Sequence, residues 1–308
     1  MEKRDGKVKK FIKENYAGYV AILPLILGIL FFSVYPIISA LDYSFHEYNP
    51  FKGTMGDFTF DQYAAIFTTE LPTVLNSLKV TFLFVLIMVP ANMVGGFLLA
   101  VWVNRPGKVM SVYKLLLYMP CLMPPIVSGF IWQLVGDPKY GVGTTILSFF
   151  GVTDFPFLAS ETTAFPTIIV YCLFGVSSNI LIWLSALKNV PQSYYEAADV
   201  EGCGAVRKLL LITVPMITPF ILYNLLTGII GTIQIFGNIY TITSGGGPAD
   251  SLNFFVIYIY DMAFTGRNGE SPNISLAAAL SFVLFAIIAL LSGLMLKTSK
   301  WVYYTEDV

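Results

Sequence analysis

Charged side chains are scarce in this sequence. Only 12% of the 308 residues are Asp, Glu, Lys or Arg, whereas 56% are hydrophobic and the mean hydropathy is +0.72. Soluble domains carry about 25% charged residues, so the composition excludes an ordinary soluble domain. A net charge of −1 gives no support to a nucleic-acid-binding protein, which would need a basic surface.

Residues that bind metals or form disulfides are also few. His46 is the only histidine and has no partner at ligand spacing, so no metal site is predicted. Cys121 and Cys172 fall in apolar runs and Cys203 in a loop predicted to face the cytoplasm. No external disulfide is therefore expected.

Motifs of catalysis and nucleotide binding are missing. The sequence has no G-x-x-x-x-G-K-[ST] phosphate loop, no nucleophile elbow and no paired catalytic carboxylates. We therefore expect a chain that is not an enzyme and holds no cofactor of its own. Energy for any active process must come from another subunit or from an ion gradient.

What the sequence does contain is six long stretches without charge: 15–41, 80–104, 115–136, 162–187, 209–249 and 271–296. A helix needs about 20 apolar residues to cross a bilayer. The run 209–249 is too long for one crossing, but it ends in Gly245-Gly246-Gly247-Pro248, which cannot continue a helix. We therefore predict a helix over about 209–239 and then a loop. The fold class is all-α integral membrane, with six transmembrane helices.

The apolar segment Asn253–Phe264 is a possible seventh crossing. Its twelve residues would cover only about 18 Å at 1.5 Å per residue, which is too short to span. We predict an interfacial or partly buried external segment.

The distribution of lysine and arginine predicts the orientation. With six crossings both termini share one side, and that side carries fourteen of the eighteen basic residues, whereas the other carries Lys52, Lys79, Lys139 and Arg267. The excess marks the first side as cytoplasmic. The predicted domains are a basic cytoplasmic tail (1–14), a transmembrane domain (15–297) and a cytoplasmic tail (298–308).

Prolines interrupt the third apolar run. Pro120, Pro124 and Pro125 remove backbone hydrogen bonds and kink a helix by steric clash. Either a static kink or a hinge that moves during transport would explain them.

The loop 188–215 is predicted to face the cytoplasm. Pro191 and Ser193 suit a helix start, the following residues to Val200 favour a helix, and Gly202 suits its C-cap. A second helix is predicted from about Ala205. These features would suit a docking element, and they would also suit a plain connector.

The spacing of residues in this loop resembles a known motif. Glu196-Ala197-Ala198, then Gly202 and then Ile212-Thr213-Val214-Pro215 resemble the EAA loop of ABC importer permeases, with Val214 in place of the usual leucine. Further similarities to the sugar-uptake branch are Phe60-Asp61-Gln62-Tyr63, Asn76-Ser77, Pro120 and Thr243-Ser244-Gly245-Gly246-Gly247-Pro248. The resemblance covers almost the whole chain in order.

This resemblance implies a type I importer permease that couples to a cytoplasmic ATPase. The implied ATPase-coupling loop comprises Glu196, Ala197, Ala198, Gly202, Ile212 and Pro215, with Glu196 at the contact and Gly202 at the turn. The implied partners are a second, homologous permease, two ATPase subunits that bind ATP and Mg, an extracytoplasmic solute-binding protein and the lipid bilayer. The implied location is the cell (inner) membrane of a bacterium or archaeon.

Neutral polar residues suggest where a solute could pass. A stripe in the fifth apolar run recurs every three or four residues and comprises Asn224, Thr227, Gly231, Gln234, Asn238 and Thr241. Amides and hydroxyls suit sugar hydroxyls, although helix–helix packing would use the same residues. Asn179 in the fourth run is a weaker candidate.

The function predicted from these features is ATP-driven, binding-protein-dependent import of a sugar or oligosaccharide by alternating access. The alternative is a stand-alone secondary carrier or facilitator for a neutral polar solute. None of the predicted span cores contains a charged residue, which disfavours a proton-driven carrier.

Overall fold

A computed structural model describes residues 16, 18, 20–49, 53–153, 155–243, 245–267, 269 and 271–303. The chain divides into two compact units. The first runs to Thr68 and includes Met262–Phe282, and the second contains Thr69–Asp261 and the chain from Val283 onward. The predicted tail 1–14 and the last five residues of the chain lie outside the described residues.

The first unit contains a long apolar helix, α1 (Val20–Ser44), with one π-helical turn at Leu30–Val34. An antiparallel hairpin of β1 (His46–Asn49) and β2 (Thr54–Phe58) follows, and then the short helix α2 (Asp61–Phe67).

Aromatic rings hold this hairpin together. The Phe45 ring stacks on Phe58 with a centroid distance of 5.3 Å, and Phe60 and Tyr63 lie within 5.5 Å of it. The only histidine belongs to the same turn, since His46 Nδ1 lies 2.8 Å from the carbonyl oxygen of Asp42.

The second unit is helical. In chain order its helices are α3 (Leu71–Val103), α4 (Lys108–Leu122), α5 (Pro125–Val135), α6 (Val142–Phe149), α7 (Glu161–Leu173), α8 (Ile180–Lys188) and α9 (Gln192–Val200). There follow α10 (Ala205–Lys208, the π-helical Leu209–Thr213 and Val214–Met216), α11 (Thr218–Ile233) and α12 (Gly237–Thr243). The helices α13 (Phe255–Thr265) and α14 (Ile274–Lys297) complete the chain, and each has residues in both units.

Helix α3 forms the centre of the second unit because two glycines let other segments approach its backbone. A Cβ atom on Gly95 would lie 2.6 Å from Val176 Cγ1, and one on Gly96 would lie 3.1 Å from Trp183 Nε1. Trp183 is buried among residues of α3 and α8.

Four helices of the described residues are long and apolar enough to cross a membrane, namely α1, α3, the α11–α12 run and α14. The bent pair α4 and α5 would make a fifth. The count of six crossings and the cytoplasmic termini stay predictions.

The third apolar run is sharply bent, as its prolines predict. Helices α4 and α5 meet at 98° across a break at Met123 and Pro124, both of which have extended backbone. A residue before proline is pushed out of the helical region, and Pro124 and Pro125 place two such restrictions in a row. The kink is therefore confirmed.

The fourth predicted crossing, 162–187, is not one helix. It consists of α7, a 3-10 turn at Val176–Asn179 and α8. Gly175 follows the end of α7, and glycine weakens a helix at this point because of its conformational freedom.

The prediction of one uninterrupted helix over 209–239 is wrong. The helix is interrupted at Ile217, just before Pro219, and again at residues 234–236, just before Gly237. Proline and glycine are the residues most disruptive to a helix interior. The helical run then continues to Thr243, directly before the glycine-rich turn.

The segment Asn253–Phe264 is buried in its first half. Phe254, Phe255, Ile257 and Tyr258 are all 0% exposed. The Tyr258 hydroxyl donates to Glu70 Oε2 at 2.6 Å. This burial, rather than an interfacial position, accounts for its apolar sequence.

Candidate functional site

A cavity of about 430 Å³ lies within the second unit. Its walls come from α3, the break between α4 and α5, α5 itself, the end of α7, and the α11–α12 run. Pockets of this size suit small-molecule ligands. The cavity is the first candidate site.

Neutral polar groups converge on one side of this cavity. The Ser128 hydroxyl lies 3.2 Å from the hydroxyl of Tyr171, and Asn238 lines the same cavity. Asn92 and Thr232 also line the cavity. Hydroxyls and amides both donate and accept hydrogen bonds, so the group can match a ligand that does the same.

An aromatic wall stands beside these polar groups. The ring centroids of Trp132 and Tyr171 are 5.1 Å apart, and those of Trp132 and Phe174 are 4.7 Å apart. Trp132 is half-buried and lines the cavity with both partners. The indole ring is thus fixed by its neighbours while part of its surface stays open.

One glycine allows the cavity walls to meet. A Cβ atom on Gly129 of α5 would lie 2.9 Å from the Asn238 carbonyl oxygen and 2.9 Å from Thr241 Cβ of α12. No other residue type fits that gap without displacing backbone. Gly129 therefore allows α5 and α12 to approach each other closely beside the cavity.

None of the side chains that line the cavity is charged. The acid nearest in sequence is Asp137, which belongs to the turn after α5 and accepts the N–H groups of Lys139 and Tyr140 at 2.8 Å. These two hydrogen bonds lower the pKa of the Asp137 carboxyl below its usual value of 3.8. The acid nearest in sequence therefore makes its hydrogen bonds within its own turn and is not among the residues that line the cavity.

The predicted polar stripe is divided by the helix break. Gly231 and Asn238 line the cavity. Gln234 lies exposed in the break, while Thr241 lines a second, open cavity with Gln133.

The remaining stripe residues make local contacts. Asn224 is 2% exposed and donates to the Phe220 carbonyl at 2.9 Å, and the Thr227 hydroxyl donates to Tyr223 at 2.8 Å. Asn179 ends the 3-10 turn before α8 and is not among the residues that line the cavity.

Sequence reasoning missed the residues that give the cavity its character, namely Trp132, Ser128 and Tyr171. The prolines of the adjacent break were the only available signal, because Pro120 and Pro125 line the same cavity. Nothing in the spacing of α5 and α7 indicates that they meet.

The second candidate site is the loop from α9 to α10. Gly202 adopts φ +70°, its N–H donates to Asp199 O at 3.0 Å, and the Cys203 N–H donates to Ala198 O at 2.9 Å. This pair of bonds is a Schellman motif. The predicted C-cap role of Gly202 is confirmed.

The outer face of α9 has few contacts within the chain. Glu196 and Ala197 are exposed, Ala198 is half-buried, and Val200 is 89% exposed. The outer face of α9 is therefore accessible in the part of the chain that the structure describes.

The inner face of this loop is anchored. Ile212 and Tyr195 pack against the buried cluster around Ile180 and Ile217. Pro215 lies in the last turn of α10, where its carbonyl accepts the Thr218 hydroxyl at 2.8 Å.

Comparison with known proteins identifies the family of this chain. Residues 92–299 match the model of the family described as binding-protein-dependent transport system inner membrane component. The matched region contains the α9–α10 loop and most segments of the cavity.

Two relatives from Bacillus subtilis (strain 168) match over nearly full length. The probable ABC transporter permease protein YesP is 33% identical over 97% of this chain and 95% of its own. The arabinooligosaccharides transport system permease protein AraP is 29% identical over 96% of this chain and 93% of its own.

A solved structure shares the fold. A chain from the crystal structure of a bacterial ABC transporter involved in the import of the acidic polysaccharide alginate superposes with a TM-score of 0.81, at 20% identity over 97% of this chain and all of that chain. The family match, the relatives and the fold agree, and the chain belongs to the binding-protein-dependent transport system inner membrane components, the permeases of ABC importers.

Proposed function

We propose that this permease passes a neutral sugar or oligosaccharide across the membrane and contacts it in the cavity beside Trp132. The observation that carries the proposal is the combination of an aromatic wall, convergent hydroxyls and amides, and a lining without charge. A sugar presents hydroxyls at its edges and C–H groups on its faces. The polar side and the aromatic wall complement those two surfaces.

The relatives support a carbohydrate. AraP is named for arabinooligosaccharides, and the structural neighbour imports alginate, which is acidic. A carboxylated sugar would favour a basic partner in the path. The uncharged lining of this cavity therefore favours a neutral solute over an acidic one.

Energy would enter through α9. In this proposal the helix docks on a cytoplasmic ATPase subunit, with Glu196 at the contact, Ala197 and Ala198 allowing close approach, and Gly202 holding the turn. A second permease and two ATPase subunits complete the complex, the ATPases bind ATP and Mg, and a solute-binding protein delivers the sugar. The permease itself performs no hydrolysis.

The bend between α4 and α5 would change during transport. Pro120, Cys121 and Met123 lie at the bend and also line the cavity, so a change in the 98° angle would reshape the site. The proposed topology has six spans in the cell membrane, with both termini in the cytoplasm.

Uptake by the purified complex in proteoliposomes tests the proposal. Radiolabelled neutral mono-, di- and oligosaccharides are offered with the binding protein, with and without ATP inside. We expect ATP-dependent uptake of at least one of them, unaffected by ionophores. Uptake that needs an ion gradient but no ATP would instead assign the chain to the secondary carriers.

A further inference from the structure

Helix α9 packs against the rest of the second unit through very few side chains. Of its nine residues only Tyr195 and Ala198 are not exposed. Ala198 is too small to reach far, so the Tyr195 ring makes the main inward contact. Like Ile212 and Met216, it packs against the buried cluster around Ile180 and Ile217. The Tyr195 ring is therefore the main inward side-chain contact of α9, beside the covalent connection to α10 through residues 201–204.

The Tyr195 hydroxyl forms a hydrogen bond with a buried hydroxyl of α10. Its oxygen lies 2.7 Å from Thr213 Oγ1, and Thr213 is 3% exposed. Either oxygen can be the donor. A buried hydroxyl without a partner is costly, and the Tyr195 hydroxyl is the nearer of two partners of Thr213 Oγ1, the other being the Lys208 carbonyl oxygen at 3.5 Å.

The bond meets α10 at an irregular point. Thr213 ends the π-helical turn Leu209–Thr213, and two residues later Pro215 offers no backbone N–H. The helical hydrogen-bond ladder is therefore weakest just here, and π-helical turns often occur at functional positions. A contact at this turn can change the direction of α10 and of the following α11.

A second link between the same helices is exposed. Lys208 and Asp199 form an ion pair, in which the Asp199 side chain is 67% exposed and the Lys208 side chain 16% exposed. Exposed pairs contribute little and are screened by salt. The part-buried Tyr195–Thr213 bond is thus the stronger candidate for transmitting a displacement.

We propose that Tyr195 is a positioning residue for energy coupling. Its hydroxyl, through Thr213, links the movement of α9 to α10 and the following α11–α12 run, and so to the cavity. This inference rests on the proposed docking of α9 on an ATPase subunit. Tyr195 touches neither the solute nor ATP. Its role is to couple ATP hydrolysis to the conformational change of the cavity.

The test uses the purified full complex and needs no knowledge of the solute. Cys121 lines the cavity and is exposed, so its labelling by N-ethylmaleimide, followed by mass spectrometry of its peptide, reports on the cavity. Labelling is compared without nucleotide and with Mg-ATP and orthovanadate, and ATP hydrolysis is measured in parallel. The variants are Tyr195→Phe, Thr213→Val and both together, with Thr213→Ser to restore a hydroxyl.

We expect Tyr195→Phe and Thr213→Val to keep ATP hydrolysis while the nucleotide-dependent change in Cys121 labelling falls by roughly two- to tenfold, the range set by one net hydrogen bond. The double variant should be no worse than either single one, and Thr213→Ser should recover most of the change. Tyr223→Phe, which removes a hydroxyl from an exposed position of α11, should match the unmodified complex.

Three results would overturn the inference. One is an unchanged labelling response in both single variants. Another is a loss in Thr213→Ser as large as in Thr213→Val, and the third is a parallel loss of hydrolysis, labelling response and complex recovery, which would indicate a purely structural bond. Failure of the docking proposal itself would look different, because Glu196→Ala and Gly202→Val would then leave ATPase recovery and hydrolysis unchanged.

Discussion

The α9–α10 loop and the cavity differ in how they are assembled. The loop takes its shape from neighbours in sequence, since its turn depends on Gly202 and bonds that span only a few residues. The cavity needs side chains from Phe84 to Asn238, which meet only when the helices of the second unit pack. Local chemistry determines the shape of the loop, and tertiary packing determines the cavity.

This difference predicts two kinds of failure. Changes in the loop should separate ATP hydrolysis from transport without changing which solute is recognised. Changes in the cavity should alter solute affinity while leaving the ATPase attached. The following experiments, in order of decreasing expected effect, test whether the two regions are separable in this way.

The largest effect is expected from Gly202→Val. A β-branched residue at φ +70° is strained by at least about 1–2 kcal/mol and would open the Schellman turn. We expect uptake to be abolished, with loss of the ATPase subunit or uncoupled hydrolysis. The matched control is Gly204→Val, because Gly204 has φ −70° and no atom within 4 Å of its Cβ position. Normal uptake in the Gly202 variant would remove the loop from the mechanism.

A smaller effect, a loss of thermal stability of the whole protein, is expected from Gly129→Ala. The new Cβ would press on backbone and Cβ atoms of α12 at 2.9 Å, and overpacking of this kind costs about 1–3 kcal/mol. Thermal unfolding in detergent should shift downward. Gly228→Ala, whose nearest neighbour is 3.9 Å away, should be neutral or slightly stabilising. Equal stability of the two variants would contradict the close approach of α5 and α12.

Trp132→Ala should affect the solute and spare the coupling. Loss of the aromatic wall is expected to raise the KM for uptake roughly tenfold, since stacking and burial of an indole contribute about 1–2 kcal/mol. ATPase recovery with the complex should stay normal, and Trp132→Phe should recover part of the affinity. A Trp132→Ala variant with unchanged KM would place the solute elsewhere.

The smallest effect is expected from Thr227→Val. The Thr227 hydroxyl is bonded to the Tyr223 carbonyl, and this residue is not among those that line the cavity. The KM for uptake by the Thr227→Val variant should stay within about twofold of that of the unmodified protein, the change due to one weak hydrogen bond. The Asn238→Ala variant should have a KM that is raised by more than this. Equal effects in both variants would restore the idea of one continuous polar stripe.

Features that depend on local sequence were predicted correctly, and features that depend on tertiary packing were not. Apolar run lengths located α1, α3 and α14, the prolines located the bend after Leu122, and Gly202 was assigned correctly, because each signal is local. The breaks at Ile217 and at 234–236 were missed.

The misses have a physical cause. Hydropathy does not distinguish a continuous apolar helix from two shorter ones, and only packing shows that α12 turns toward α5. For the same reason Ser128 and Tyr171, 43 residues apart and hydrogen-bonded, could not be paired from their positions in the sequence.

Solute protection of Cys121 tests the central claim most directly. The purified complex is labelled with N-ethylmaleimide in the presence of each neutral sugar that supports ATP-dependent uptake, and labelling of Cys203 in the α9–α10 loop serves as the internal control. If the sugar occupies the cavity, labelling of Cys121 slows while that of Cys203 is unchanged. Equal labelling of Cys121 with and without a transported sugar would contradict the assignment of the cavity as the solute path.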